Sequence, residues 1–185
     1  FQESGRLCSP ELMHTPVWKN APRQGGDLWL HPGSGSARKN WPLTAFAALA
    51  SGWLARHPDR QVYISFGEAD LHLVDPSRDA FEERDISLNA VIMPSLKALK
   101  SGIENNAAFF IGNDSGVTHL ASALGIPTVA CFRVTDPRIW RPLGNCLVVP
   151  PCPGMNESFA ARSRQKRKDE LTRPPQDTKL CAGVL

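Results

Sequence analysis

The letters Gly-Asn-Asp-Ser-Gly at 112–116 constrain the fold of this chain more than any other feature, because an apolar run ends there and an apolar helix pattern begins at once. The segment predicts a strand that passes directly into a helix. The first turn of a helix offers unpaired N–H groups and a partial positive charge, which together favour a phosphate. A carboxylate in this turn, Asp114, is better suited to accept hydrogen bonds from hydroxyls of the molecule that carries the phosphate, which suggests a sugar or a ribose.

Length and composition are typical of a globular protein with one core. The 185 residues, 42% hydrophobic and 21% charged, are enough for one well-buried domain and too few for two of ordinary size. No apolar run approaches the roughly 20 residues of a membrane helix. The start at Phe1 shows neither an initiator methionine nor a secretory signal, so we expect a fragment or a processed chain. The five scattered cysteines complete no zinc-site pattern and indicate a reduced, cytoplasmic protein.

The excess of basic residues lies at the C-terminal end. Residues 151–185 hold seven Lys or Arg and four Asp or Glu, which accounts for the formal net charge of +3. We expect a lead-in or linker at 1–27, a domain at 28–150 and a basic, weakly ordered tail at 151–185. The basic run at 162–168 is compatible with a solvated helix face, a peripheral contact to anionic lipid or a nucleic-acid patch. Its shortness and the acidic residues after it favour the solvated face, and no nucleic-acid partner is expected.

Strand and helix patterns alternate through 28–150. Short apolar runs bounded by Gly or Pro predict strands, and longer runs of helix-forming residues predict helices. The predicted strands are 28–31, 61–66, 90–93, 107–111 and 128–132, and the predicted helices are 43–57, 96–105 and 115–124. Residues 68–90 are expected to hold a helix and a loop, with Pro76 as a break. This alternation implies an α/β fold, a parallel sheet flanked by helices and joined by right-handed crossovers.

Three of the predicted strands end in a glycine-bearing turn, at 33–36, 67–68 and 112–116. In an open parallel sheet, ligands bind outside the carboxyl ends of the strands, where the strand order reverses. Arg38 and Lys39 follow the first turn, so this edge offers hydroxyls, cations and a helix N-terminus, the groups that can hold a diphosphate without a metal. The spelling fits neither a dinucleotide-binding fingerprint nor a P-loop, and it lacks an Asp-x-Asp pair for a divalent cation. We therefore expect no metal and no cofactor.

Three segments together closely resemble the nucleotide-binding half of glycosyltransferase family 9. They are His-Pro-Gly-Ser-Gly-Ser-Ala-Arg-Lys-Asn-Trp-Pro at 31–42, Phe-Ile-Gly-Asn-Asp-Ser-Gly-Val-Thr-His-Leu-Ala-Ser-Ala-Leu-Gly-Ile-Pro at 110–127, and Thr-Asp-Pro-Arg-Ile-Trp-Arg-Pro-Leu-Gly at 135–144. The family contains the ADP-heptose:lipopolysaccharide heptosyltransferases, and the resemblance covers about 28–150. It implies a Rossmann-like domain, the C-terminal half of a two-domain GT-B glycosyltransferase. A separate N-terminal domain would supply the acceptor site.

The resemblance also implies an activity and a set of contacts. The activity is metal-independent transfer of heptose from an ADP-sugar donor, ADP-heptose, to the lipopolysaccharide core, in the cytoplasm and at the inner face of the inner membrane. The implied substrate-binding residues are Ser34, Ser36 and Lys39 for the diphosphate, Glu68 for the ribose, Asp114 for the transferred sugar, and Ser115, Gly116, Val117 and His119 at the helix start.

Local structure offers another interpretation for several of these positions. Lys39 is compatible with a solvated loop cation, Glu68 with a helix cap, Asp114 with an Asx-turn or N-cap, and His119 with a helical histidine bonded to a neighbouring carbonyl. We interpret three further residues as packing residues: His31, Trp41 and Trp140.

The chain departs from the family's pattern before Thr135, where Arg133 and Val134 replace a usual Gly-Pro and are expected to stiffen the loop or add a cation near the diphosphate. The family's N-terminal domain, with the acidic general base for the acceptor hydroxyl, is expected to be absent, so no catalytic residue is assigned. Three functions stay open: the donor-binding half of a heptosyltransferase, a non-catalytic nucleotide or nucleotide-sugar binding module, and an epimerase-like enzyme acting on a nucleotide sugar.

Overall fold

The computed structural model describes residues 25–93 and 95–150. Its centre is a six-stranded parallel sheet in the order β3-β2-β1-β4-β5-β6. The strands are β1 (Asp27–His31), β2 (Val62–Phe66), β3 (Leu88–Ile92), β4 (Ala107–Asn113), β5 (Thr128–Cys131) and β6 (Cys146–Val149). The helices are α1 (Leu43–Leu54), α2 (Val74–Glu82), α3 (Leu96–Asn106), α4 (Gly116–Ala123) and the single-turn α5 (Pro137–Trp140), and a 3-10 helix covers Glu68–Leu73.

The central strands carry the core, because β1 and β4 each have a neighbour on both sides and are buried over almost their whole length. Trp29 of β1 and Phe110 of β4 pack with Ile103 of α3 and Ala121 of α4. The helices contact one another in two pairs, α1 with α2 and α3 with α4, as in a sheet covered on both faces. No helix in the described part of the chain is both long enough and apolar enough to cross a lipid bilayer.

The α/β fold predicted from the sequence is confirmed, and most element boundaries agree to within a few residues. Two local signals gave accurate ends: Ser95 caps α3, since its Oγ accepts the N–H of Ala98 at 3.2 Å, and Gly125 follows α4 with φ of 76°. The prediction for Pro76 was wrong. It lies in the first turn of α2, where its missing N–H interrupts no helical hydrogen bond.

Other differences concern short or terminal segments. Helix α1 ends at Leu54 rather than at residue 57, and neither α5 nor β6 was predicted from the sequence. Asp27, which we placed in the lead-in, begins β1. The rest of the predicted lead-in before residue 25 and the predicted tail at 151–185 lie outside the described residues.

The strand order reverses between β1 and β4, where His31 pairs with Gly112 across the sheet. The chain leaves β1 toward α1 and leaves β4 toward α4, so the loop at 32–42 and the turn at 113–116 begin side by side. Two of the three glycine-bearing turns singled out in the sequence, at 33–36 and 112–116, therefore meet at one edge of the sheet.

Candidate functional site

Asn113, the last residue of β4, ties the two loops together. Its buried side-chain amide donates to the carbonyl of Pro32 at 2.7 Å and accepts the backbone N–H of Trp41 at 3.0 Å. One side chain thus fixes both ends of the 32–41 loop. This role was not predicted from the sequence, although the position of Asn113 directly at a strand exit was a signal that could have indicated it.

Lys39 and Thr135, from two other loops, both contact the side chain of Asp114. We call these three residues the Asp114 cluster. The ammonium Nζ of Lys39 lies 3.2 Å from Asp114 Oδ2 and 3.1 Å from its backbone carbonyl, and the hydroxyl of Thr135 donates to the same Oδ2 at 2.7 Å. The Asp114 side chain is 7% exposed and that of Lys39 is 28% exposed. Lys39 is therefore a paired, half-buried cation that still reaches solvent, rather than a free loop cation.

The loop that carries Lys39 folds back on itself. The backbone N–H of Lys39 donates to the carbonyl of Ser36 at 2.9 Å. The hydroxyl of Ser34 bonds to that same carbonyl at 2.9 Å and to the side chain of Asn40. Gly35 adopts a left-handed φ of 67°, which a residue with a side chain adopts only with strain. The turn therefore brings together the three residues predicted to hold the diphosphate.

Helix α4 begins directly after the Asp114 cluster. Ser115 is its N-cap, with Oγ accepting the N–H of Thr118 at 3.3 Å, so the capping residue is Ser115 and not Asp114. The hydroxyl of Thr118 in turn donates to the carbonyl of Asn113 at 2.6 Å. A Cβ added to Gly116 would meet nothing within 4 Å, so the first turn of the helix, with Val117 next along it, opens onto free space.

Two other predicted site residues, Glu68 and His119, lie on the 3-10 helix and on α4. Glu68 is exposed and opens the 3-10 helix after β2, but the backbone N–H of Gly67 goes to the carboxylate of Asp70, at 3.4 Å. The ring of His119 is 3.1 Å from the backbone carbonyl of Trp140 through Nε2. This contact corresponds to the local interpretation of His119 as a histidine bonded to a neighbouring carbonyl.

A second group of polar side chains lies deeper at the same edge, and we call it the His31 cluster: His31, Ser65 and Asp70. Nδ1 of His31 is 3.0 Å from the carbonyl of Ser65, which can only accept, so Nδ1 carries the hydrogen. Its Nε2 faces Asp70 Oδ2 at 3.8 Å. Burial lowers the pKa of His31, and the charge of Asp70 and the hydrogen bond to Ser65 offset part of that effect.

Asp70, on the 3-10 helix that follows β2, also contacts the loop that follows β1. A Cβ added to Gly33 would collide with the Asp70 carboxyl group, so the loop backbone lies directly against that carboxylate and a larger residue would have to displace it. No role was predicted for Asp70 or Ser65, because neither lies in a recognisable motif.

The packing interpretation is confirmed for two of its three residues. His31 and Trp41 are buried, and the Trp41 indole donates to the carbonyl of Phe132 at 3.0 Å. It was wrong for Trp140, whose side chain is 56% exposed on α5.

The segment after β5 is fixed at both ends. Arg133 donates to the carbonyl of Asn40 at 2.8 Å, which attaches this segment to the loop that carries Lys39. Asp136 caps α5 by accepting the N–H of Arg138 at 2.9 Å, and the hydrogen bonds from Arg138 lower the pKa of Asp136. Two effects were expected for Arg133, and its hydrogen bond to Asn40 supports the stiffening of the loop.

Within residues 25–93 and 95–150, no three His, Cys, Asp or Glu side chains are grouped so that they could hold a metal.

The sequence profile of Glycosyltransferase family 9 (heptosyltransferase) matches residues 19–169. The chain belongs to this family. It is 28% identical over 137 residues to Lipopolysaccharide heptosyltransferase 1 of Campylobacter coli, covering 70% of this chain and 36% of the relative. It is 27% identical over 140 residues to Lipopolysaccharide heptosyltransferase 3 of Escherichia coli, covering 75% of this chain and 38% of the relative. The chain thus spans little more than a third of the length of these relatives.

Solved structures show the same fold. The glycosyl transferase family 9 structure from Veillonella parvula DSM 2008 matches with a TM-score of 0.58 and 22% identity, over 78% of this chain and 40% of that one. The structure of E. coli heptosyltransferase WaaC with ADP matches with a TM-score of 0.59 and 21% identity, over 81% of this chain and 46% of that one. The predicted fold class, a Rossmann-like sheet of the kind found in GT-B glycosyltransferases, is confirmed.

Proposed function

We propose that this chain binds the ADP-sugar donor of a heptosyltransferase, with ADP-heptose as the donor. The observation that carries the proposal is the Asp114 cluster, which joins a cation, a carboxylate and a helix N-terminus where the strand order of the sheet reverses. Family membership and the ADP named with the similar E. coli WaaC structure support the choice of nucleotide.

The chemistry of the site suits a diphosphate that leaves. When the bond between sugar and phosphate breaks, negative charge grows on the diphosphate. A positive group and aligned backbone N–H donors stabilise that charge more in the transition state than in the bound donor. Lys39 and the open start of α4 are such groups, and Ser34 and Ser36 would add hydroxyl contacts. Asp114 would accept hydroxyls of the transferred sugar, and Glu68 those of the ribose.

The complete reaction would need a second domain. We propose transfer of heptose to a hydroxyl of the lipopolysaccharide core, without a metal and with inversion, at the cytoplasmic side of the inner membrane. The general base that deprotonates the acceptor would come from an N-terminal domain of the kind the family carries. The names of two relatives, both lipopolysaccharide heptosyltransferases, support this acceptor.

Calorimetric titration of the chain with ADP, UDP, GDP and ADP-heptose tests the proposal. ADP should bind more tightly than UDP and GDP, and ADP-heptose should bind with a measurable heat. Equal affinity for the three nucleotides would exclude a site specific for an ADP-sugar, and no binding of any of the four would exclude a donor site altogether.

A non-catalytic nucleotide-sugar binding module is the second candidate, because no described residue is assigned as the general base. Heptose transfer should be measured with the chain alone and after mixing with a separately produced N-terminal domain of the family. Activity that needs mixing would support a transferase half. Tight ADP-heptose binding with no turnover in either case would support the binding module.

A further inference from the structure

The carboxylate of Asp114 is held from two sides, but both contacts fall on one of its two oxygens. Lys39 Nζ and the Thr135 hydroxyl both reach Oδ2, at 3.2 and 2.7 Å. One carboxylate oxygen has about two lone-pair sites, so these donors fill Oδ2 and leave the ligand to the other oxygen, Oδ1. The orientation of the carboxylate thus determines where Oδ1 points.

The backbone of Asp114 is already fixed without these contacts. Its N–H donates to the carbonyl of Cys131 at 3.1 Å, and the next residue, Ser115, is the N-cap of α4. What remains to be set is the rotation of the side chain. Among the residues that the structure describes, Lys39 and Thr135 are the two groups that hold the carboxylate.

These two groups differ in what a bound diphosphate would do to them. Lys39 is a cation whose side chain is 28% exposed, and a diphosphate competes with Asp114 for it. Thr135 is neutral, so a diphosphate does not compete with the carboxylate for it as it does for a cation. With donor bound, Thr135 would therefore be the contact that continues to hold Asp114.

Thr135 is itself well anchored for this purpose. Two residues before it, Arg133 donates to the carbonyl of Asn40, and the residue after it, Asp136, caps α5. Threonine is also branched at Cβ, so its hydroxyl has few rotamers to choose from.

We propose that Thr135 is a positioning residue that orients the Asp114 carboxylate and thereby sets the affinity of the site for the sugar of the donor rather than for its nucleotide. The proposal rests on the proposed function. It goes further by separating the recognition of the sugar from that of the diphosphate. It assigns the sugar part to a residue that acts through the Asp114 carboxylate.

The test compares Thr135→Val, which keeps the shape and removes the hydroxyl, with Thr135→Ser, which keeps the hydroxyl. Calorimetry on the full chain should show that Thr135→Val weakens binding of ADP-heptose by about tenfold, as expected when one hydrogen bond to a charged group is lost. Its ADP affinity should stay within about twofold. Thr135→Ser should restore the affinity for ADP-heptose. The exposed Thr44→Val is the matched control and should change neither affinity.

Thermal unfolding of each variant shows whether it is folded, and Thr135→Ala, which cannot overpack, repeats the test if Thr135→Val does not fold. If Thr135→Val weakens the binding of ADP and of ADP-heptose equally, or weakens neither, the proposed role of Thr135 is wrong. The proposed function still stands in that case, provided that the unmodified chain binds the donor. If the unmodified chain binds neither ligand, the proposed function fails and this role fails with it.

Discussion

The two polar clusters at the C-terminal edge of the sheet complete their hydrogen bonds in different ways. In the His31 cluster, Ser65 bonds to His31, to the Trp29 indole and to the carbonyl of Leu30, all within strands β1 and β2. In the Asp114 cluster, the three members come from three loops, and Lys39 remains open to solvent. His31 and Ser65 are enclosed by the strands, whereas Lys39 lies where a ligand can reach it.

This difference separates architecture from binding. A buried polar group that loses its partner costs stability, whereas an accessible cation can exchange a protein carboxylate for a ligand phosphate. Substitutions among the buried residues at and around the His31 cluster should therefore change the free energy of unfolding. Substitutions of the accessible cation should change mainly the affinity for ADP.

The largest effect is expected at Gly112, which lies between the two clusters. A Cβ there would collide with the Thr118 hydroxyl and come within 2.8 Å of the Phe110 ring and 3.3 Å of the His31 carbonyl. Because these groups are buried and hydrogen-bonded, Gly112→Ala should lower the free energy of unfolding by about 3 kcal/mol, measured by urea denaturation.

The matched control is Gly116→Ala, four residues further on, where the added Cβ meets open space. It should not lower the free energy of unfolding, since alanine suits a helix better than glycine does. Its ADP affinity should fall if the ligand approaches the start of α4. If both variants lose the same stability, the distinction between an enclosed and an accessible layer is wrong.

The next effect concerns Lys39 and appears in binding. Lys39→Ala should weaken ADP affinity by about 1.5–3 kcal/mol, the worth of a charge-assisted hydrogen bond. Lys100→Ala is the control, because Lys100 is exposed and pairs with Glu104 on α3, and its loss changes the net charge of the chain equally. Calorimetry should show unchanged ADP affinity for the control. Equal losses in both variants would mean that only the overall charge matters.

Much of the fold could be predicted because the signals are local. Short apolar runs closed by glycine gave β1, β2 and β4, and the serine before α3 gave its start. Strand β6 was missed although it is no shorter than β5, which was predicted. Helix α5 was missed because it has only four residues, too few for a helical period to develop. For the same reason the exposure of Trp140 could not be predicted.

The candidate site could be predicted only in part. The sequence indicated that the turns at 33–36 and 112–116 meet, because parallel strands exit at the same edge. The pairing of Lys39 with Asp114 joins residues 75 apart, and it depends on how the loop at 32–41 folds back. Asn113, Thr135 and Asp70 were missed because their partners include backbone groups and distant side chains, which no motif records.

The smallest expected effect is a pH dependence that belongs to the His31 cluster alone. Burial holds the pKa of His31 below its ordinary value of about 6.5, against the opposing influence of Asp70 and Ser65. Below pH 6.5 the unfolded chain therefore takes up a proton that the folded protein accepts only at lower pH. This uptake lowers the stability of the folded protein as the pH falls from 7 to 5, by up to about 1.4 kcal/mol for each pH unit.

The measurement is the free energy of unfolding from pH 7 to pH 5 for the unmodified chain, His31→Gln and the exposed control His72→Gln. The criterion is the slope of the free energy of unfolding against pH. The absolute stability of His31→Gln is not used, because a substitution at a buried position has a cost of its own. That slope should be flatter than in the unmodified chain, while His72→Gln should keep it. Identical slopes in all three would mean that His31 gains its proton as easily in the folded protein as in the unfolded chain. Asp70 would then have to supply enough favourable charge to cancel the effect of burial, and the enclosed cluster would be less sealed from water than its geometry indicates.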